Sequence, residues 1–383
     1  MVNALNIPII EPYYGGSHAE FVDLFIRHTR HHCVLITMPA RKWKWRMRGA
    51  AMWAAMEETH NLSGDVDVFF VSDMLSVCDL RALLPDRLRN TPVVCYFHEN
   101  QLTYPVSPHD SPDYQFAMTN ITSCLAATQV WFNSRFHMED FLQASAKLLR
   151  KMPDFVPSGV ISQIRSRSFV HPPAVSIETS HRVDNPPAAD SAAIRHTTKA
   201  TRILWCHRWE FDKNPAPFFD TLIRLDRAGF DFELVFVGEQ FRTAPTVFAD
   251  SWASLKRHIV HAGFIKSRTD YLNMLASCDV VVSTAIQENF GIAVIEAILC
   301  GCQPLLPDRL AYPEVIPESF HAQCLYSADE VLFERLCDVI TGPGKLPPGE
   351  LSELRSVLAS RYDPTTIASA MDDAFEALVS SQC

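Results

Sequence analysis

At 383 residues, with 48% hydrophobic and 20% charged residues, the chain is long enough for two ordinary domains and is globular in composition, not disordered. Its formal net charge of −10 argues against a general nucleic-acid binder, so any contact with nucleic acid has to come from a local basic patch. No apolar run reaches the length of a membrane-spanning helix, and the N-terminus has no basic leader and goes straight into a strand. The eleven cysteines lie mostly in apolar context (Cys95, Cys278, Cys300), and Cys300 and Cys302 have no companion pair at metal-site spacing. Reduced, buried thiols in a cytosolic protein are expected.

In chain order, Leu5 to Glu11 reads as the first strand and Tyr13-Tyr-Gly-Gly-Ser-His as the loop after it. Ser17 and Glu20 have capping-box spacing and would start a helix through Phe21, Leu24 and Phe25. Gly15 and Gly16 allow backbone to approach a ligand at that helix start, although a tight turn needs them equally. No G-x-G-x-x-G pattern occurs here, which argues against a nicotinamide enzyme. Cys33 to Met38 is the second strand. Five basic residues follow within the eight from Arg41 to Arg48 (Arg41, Lys42, Lys44, Arg46, Arg48), with Trp43 and Trp45 interleaved. Lys and Arg neutralise phosphates and Trp offers a face for an unstacked base. The alternative is an amphipathic helix with Trp43, Met47, Ala50 and Ala54 inward and the charges solvated.

The runs Asp65 to Met74, Thr91 to Gln101 and Val130 to Ser134 repeat one design, a buried strand that delivers polar residues at its C-terminal end. Those residues are Ser72 and Asp73, then His98, Glu99, Asn100 and Gln101, then Asn133 and Ser134. In open parallel sheets ligands bind outside the carboxyl ends of the strands. Phe116 to Ala127 reads as a helix, and Phe169-Val-His-Pro-Pro-Ala as the end of the first domain. Residues 176–200 read as a poorly ordered linker or insertion. Arg202 to His207 starts a second parallel sheet, continued by Phe232 to Val237 and by the β-branched run after Asp279. That last strand leads through Glu288, Asn289, Phe290 and Gly291 into an apolar helix that Gly301 is placed to end. A helix start favours phosphate, and acids such as Glu288 and Glu296 suit the hydroxyls of a sugar nucleotide. A loop acid and a solvated helix face would explain the two glutamates equally well. Ile367 to Leu378 reads as a final helix.

Glu288 and Glu296 enclose seven residues, and this resembles the donor signature of retaining GT-B glycosyltransferases of the family-4 type. The strings EPYYGGSH, MPARKWKWRMR, VSDM, YFHENQLTYP and WFNS, in that order, resemble the tRNA-queuosine mannosyltransferase branch of that group. The resemblance covers the first half to about Ser134 and the donor motifs of the second half. It implies an α/β protein of the GT-B type, with two Rossmann-like domains facing a cleft. The first domain, 1–175, would serve the acceptor and take back the C-terminal helix at 365–383; residues 201–364 would bind the donor.

The family's roles then fall residue by residue. Arg208 and Lys213 would hold the donor diphosphate, the loop Asn289, Phe290 and Gly291 the sugar and diphosphate, and Glu296 the ribose, with Glu288 among the catalytic residues. Phe264 and Ile265 would lie against the nucleobase, and His98 would be a polar positioning group near the sugar. No D-x-D pair stands at a strand end of the second half, so no metal and no cofactor are expected. The implied reaction moves mannose from GDP-mannose to the cyclopentenediol of queuosine at the wobble position of tRNA for aspartate. Arg41 to Arg48 and Glu99 to Gln101 would be the tRNA side. A GT-B enzyme acting on a lipid or small-molecule acceptor is the alternative.

Overall fold

A computed structural model of the protein describes residues 4–62, 64–105, 113–177, 200–239 and 247–381. Most of the expected linker, 178–199, lies outside the described residues. The chain divides into two compact units. One runs to Ala174 and takes back the residues from Tyr362 on; the other is Val175–Arg361.

The first unit is built on β1 (Asn6–Tyr14), β2 (His32–Pro39), β3 (Phe69–Ser72), β4 (Val93–Phe97), β5 (Gln129–Phe132) and β6 (Ser168–Val170), all parallel, in the order β2-β1-β3-β4-β5-β6. The second holds β7 (Thr201–Trp205), β8 (Phe232–Val237), β9 (Ile259–Gly263), β10 (Val280–Val282), β11 (Gln303–Pro307) and β12 (Leu325–Tyr326), also parallel, in the order β12-β11-β10-β7-β8-β9. Both are doubly wound sheets whose strand order reverses once, between β1 and β3 in one unit and between β10 and β7 in the other. At such a reversal the connections leave in opposite directions and open a crevice at the strand ends.

Burial on both faces explains why the strands read as continuous apolar runs: every residue of β4 and β10 is buried. One face of the first sheet carries a core around Phe69, Phe97, Phe132 and Phe141. The other face packs Phe25, Phe70 and Trp131 against Ile367, Met371 and Phe375 of the helix Pro364–Ser380. That helix is capped by Asp363, whose carboxylate accepts from Thr366 N–H at 2.8 Å, with Pro364 at its first position. Asp372, buried within it, accepts from Thr29 Oγ1 at 2.5 Å and Arg30 N–H at 3.0 Å, at the end of the helix Gly16–His28. The Gly16–His28 helix itself corrects one expectation. It opens one residue before Ser17 and no side chain caps it, so the Ser17/Glu20 spacing does not form a capping box.

Every described cysteine is free. Among the described residues no helix is long and apolar enough to cross a membrane.

Candidate active site

In the second unit both arms of the reversal carry chemistry. β7 runs into His207 and Arg208. The turn beyond it lies so close to the end of β8 that a Cβ on Gly238 would fall 2.0 Å from the His207 carbonyl oxygen. β10 runs into Ser283 and Thr284, both buried. The two loops are stitched together because Ile286 and Gln287 both donate their N–H groups to the Asp212 carbonyl, at 2.9 and 3.2 Å. This brings the Lys213 ammonium, on a side chain itself buried, to the Gln287 carbonyl at 2.8 Å, Asp212 Oδ2 at 3.2 Å and Glu288 Oε2 at 3.3 Å. Burial works against the lysine's charge, but Glu288 and Asp212 outweigh it and raise the pKa. Lys213 is therefore a cation held in place between two carboxylates. Arg208 is more open, with one guanidinium nitrogen 3.2 Å from Glu210 Oε2.

Gly291, at φ +98°, turns the loop into the helix Ile292–Leu299, whose start no side chain caps. Only a residue without a Cβ takes that backbone easily. Phe290 and Asn289 are buried beside it, and Gln287 Nε2 donates to Asn289 Oδ1 at 3.1 Å. Glu296 is not a solvated acid on its helix: it is buried, Arg268 pairs with Oε1 and Tyr271 donates its hydroxyl to Oε2 at 2.9 Å. Arg268 and Tyr271 were not read as site residues, since nothing in the sequence ties the helix Arg268–Ala276 to Glu296. After β9, Phe264 is exposed and Ile265 half-buried.

In the first unit the reversal between β1 and β3 holds a second cluster. Glu11, buried within β1 where its pairing with β2 shifts register, accepts at Oε1 from Ser72 Oγ (3.0 Å) and from Tyr13 N–H (2.8 Å). Its Oε2 faces His18 Nδ1 at 3.3 Å and His98 Nε2 at 3.5 Å. Burial alone would raise the Glu11 pKa, but His18 and His98 overcome it and hold the carboxyl well below its usual range. Burial likewise opposes charge on His18, and Glu11 prevails, pushing it up to about 9. Burial and the neighbouring His18 bring His98 down to about 4. Asp73, fully buried, accepts the His98 backbone N–H at 2.9 Å. Of these residues the sequence singled out His98; Ser72 and Asp73 were noted only as strand-end residues. Glu11 carried one usable signal, an acid inside an otherwise apolar strand run.

Other expected residues divide by what they touch. Asn100, expected on the tRNA side, is fully buried and shapes its own loop. Its Oδ1 accepts from Leu102 N–H and Thr103 N–H, and its Nδ2 donates to His137. Glu99 and Gln101 are half-buried and hydrogen-bond to each other at 3.1 Å. Gly15 is needed for close packing, since a Cβ there would lie 2.6 Å from Ala40 Cβ; Gly16 sits at φ +54° with open space beside it. In the basic stretch Arg46 stands apart from its neighbours. It is buried, and its guanidinium donates to the Pro39 carbonyl from two nitrogens, at 3.1 and 3.3 Å. Arg41, Lys42, Lys44, Trp45 and Arg48 are exposed, whereas Trp43 packs on Phe116. Met47, Ala50 and Ala54 are buried, so the helix Trp43–Trp53 is amphipathic and also presents an exposed basic face.

Comparison with known proteins agrees with both halves. Residues 6–175 match the family described as tRNA-queuosine alpha-mannosyltransferase N-terminal, and residues 188–343 match glycosyl transferases group 1. A tRNA-queuosine alpha-mannosyltransferase of Drosophila melanogaster is 36% identical over 334 residues, covering 86% of each chain. A GDP-mannose-dependent alpha-(1-6)-phosphatidylinositol dimannoside mannosyltransferase of Mycobacterium tuberculosis is 28% identical over 175 residues, 45% of this chain and 43% of that one. Among solved structures, sucrose-phosphate synthase from Thermosynechococcus elongatus superposes with a TM-score of 0.72 at 14% identity, covering 98% of this chain and 100% of the other. Anabaena HepE in complex with UDP and glucose gives 0.66 at 14% identity, with 97% and 100% covered. The fold is thus that of the GT-B glycosyltransferases. With a relative this similar across most of its length, the chain belongs to the tRNA-queuosine alpha-mannosyltransferase family and is a glycosyltransferase.

Proposed function

We propose that this enzyme moves mannose, with retention, from GDP-mannose to the cyclopentenediol of queuosine in the anticodon of tRNA-Asp, and that it works in the cytoplasm. The observation that carries this reading is the 36% identity to a tRNA-queuosine alpha-mannosyltransferase. The GDP-mannose dependence named for the mycobacterial relative supports the donor. In the second unit, negative charge gathering on the leaving diphosphate would be stabilised by Lys213, Arg208 and the backbone amides that open the helix after Gly291. A fixed cation pair takes the place of a diphosphate-bridging metal, so turnover is expected without added magnesium or manganese. Glu296 would accept from the ribose hydroxyls, with Arg268 and Tyr271 fixing its carboxylate. Phe264 and Ile265 would meet the base.

Nucleoside mass spectrometry of queuosine-containing tRNA, incubated with the protein and each sugar nucleotide in turn, tests the reaction. A hexose added to queuosine from GDP-mannose alone is expected. Transfer to a lipid acceptor with none to tRNA would overturn the reading.

On the donor side, Glu296→Ala should weaken GDP binding about tenfold or more, since loss of a hydrogen bond to a charged group is worth about 1.5–3 kcal/mol. tRNA affinity should be unchanged in titrations of the same variant. Equal loss of both would indicate a damaged helix instead.

On the acceptor side, the exposed cations are the candidates and Arg46 is not. Neutralising Lys42, Lys44 and Arg48 together should weaken tRNA binding and flatten its salt dependence by about 2, at about 0.7 per lost phosphate contact on a single strand. GDP affinity should not move. An unchanged salt slope would make the stretch a solvated helix face.

A further inference from the structure

We infer that Glu11, His18 and His98 form a binding site for a divalent transition metal of the zinc class, with one coordination position left for an oxygen ligand. The three side chains come from different elements: the second half of β1, the first turn of the helix Gly16–His28, and the residue after β4. The order β2-β1-β3-β4 brings the ends of β1 and β4 to the same edge of the sheet. One donor atom from each lies within 4.8 Å of the other two.

The distances fit metal ligation better than direct hydrogen bonding. Charge-assisted N–H···O contacts are about 2.7–2.9 Å long, whereas Glu11 Oε2 stands 3.3 Å from His18 Nδ1 and 3.5 Å from His98 Nε2. Bonds of about 2.0–2.2 Å around a tetrahedral zinc place neighbouring donor atoms about 3.3–3.6 Å apart. Two of the three atoms, Glu11 Oε2 and His18 Nδ1, are buried with no hydrogen-bond partner among the described residues. Glu11 and His18 are 1% and 7% exposed, so both the carboxylate and the imidazole are more than nine-tenths buried. The two face each other as a long ion pair at 3.3 Å and neither makes a hydrogen bond; burying polar atoms so is costly, and a cation between them would satisfy both at once.

The surroundings are those of a supported metal site. Ser72 Oγ and Tyr13 N–H fix the other carboxylate oxygen of Glu11, at 3.0 and 2.8 Å, leaving Oε2 to turn toward the histidines. Asp73 holds the His98 backbone. Phe21 and Tyr96 wall His98 at 5.0 and 4.8 Å. Two histidines and a glutamate are a donor set used by catalytic zinc, whose fourth position takes water or substrate. The missing D-x-D pair in the second half bears on the diphosphate alone and leaves this cluster untouched. His98, which the sequence marked as a polar positioning group, would then act through the metal.

The test uses the full chain purified without an affinity metal column, stripped with chelator, loaded with zinc and gel-filtered. Elemental analysis should give about one zinc per chain in the wild type, and cobalt loading should produce visible d–d absorption. His18→Gln should bind zinc at least tenfold more weakly. Ser72→Ala should weaken it by about tenfold to hundredfold, as loss of an outer-shell partner does; this change is mild enough to keep the protein folded if His18→Gln does not. Phenanthroline should lower the wild-type melting temperature and zinc should restore it. Less than about a tenth of an equivalent of zinc on the loaded wild type, or undiminished zinc on a folded His18→Gln, would overturn the site and leave a buried Glu–His ion pair.

Discussion

Replacing Lys213 with alanine should lower kcat by about tenfold to a hundredfold, since a hydrogen bond to a charged group contributes about 1.5–3 kcal/mol. Nucleotide binding should fall with it. Lys213 is buried between Asp212 and Glu288, so its removal also leaves two carboxylates facing each other without their counter-ion. That second effect is structural and shows as a lowered melting temperature. Arg208→Ala separates the two: its side chain is half exposed, with one guanidinium nitrogen 3.2 Å from Glu210, so its loss should spare stability while reducing kcat. Steady-state kinetics and thermal melts on both variants give the answer. Unchanged turnover in Lys213→Ala would remove that residue from the reaction.

Phe375→Ala should destabilise the first unit by about 3–5 kcal/mol. The ring is fully buried and packs at 4.6 Å on Trp131, 5.3 Å on Phe70 and 5.9 Å on Phe25. Since whole domains have only about 5–15 kcal/mol of stability, the variant should unfold at markedly lower urea concentration, with the tryptophan fluorescence change reporting it. A loss below about 1 kcal/mol would mean that the helix Pro364–Ser380 contributes little to that core.

The legible parts of the sequence were those where one residue's environment leaves a local mark. β10 and β4 read as strands because burial on both faces demands unbroken apolar runs. Gly301 read as a helix end, and it sits at φ +111° with its N–H on the Ile298 carbonyl and the Cys302 N–H on that of Ala297. The donor loop read as a unit because its parts are contiguous.

What could not be read depends on contacts between distant segments. Arg46 looks like its four basic neighbours, and only the Pro39 carbonyl beneath it distinguishes it. The pairing of Glu296 with Arg268 and Tyr271 needs the packing of two helices. Glu11, His18 and His98 meet because the strand order puts β3 between β1 and β4, and strand order leaves no trace in a local window.

The return of the helix Pro364–Ser380 to the first unit has a consequence for synthesis on the ribosome. β6 ends at Val170, and the helix that covers Phe70 and Trp131 begins at Pro364. At about 5–20 residues per second, the sheet emerges on the order of tens of seconds before its lid. Through that interval an apolar face waits uncovered while the whole second unit is being made, a natural point for chaperones to engage. A chain terminated shortly before Pro364 would lack the helix that packs on Phe70 and Trp131 and would keep that face of the first sheet open.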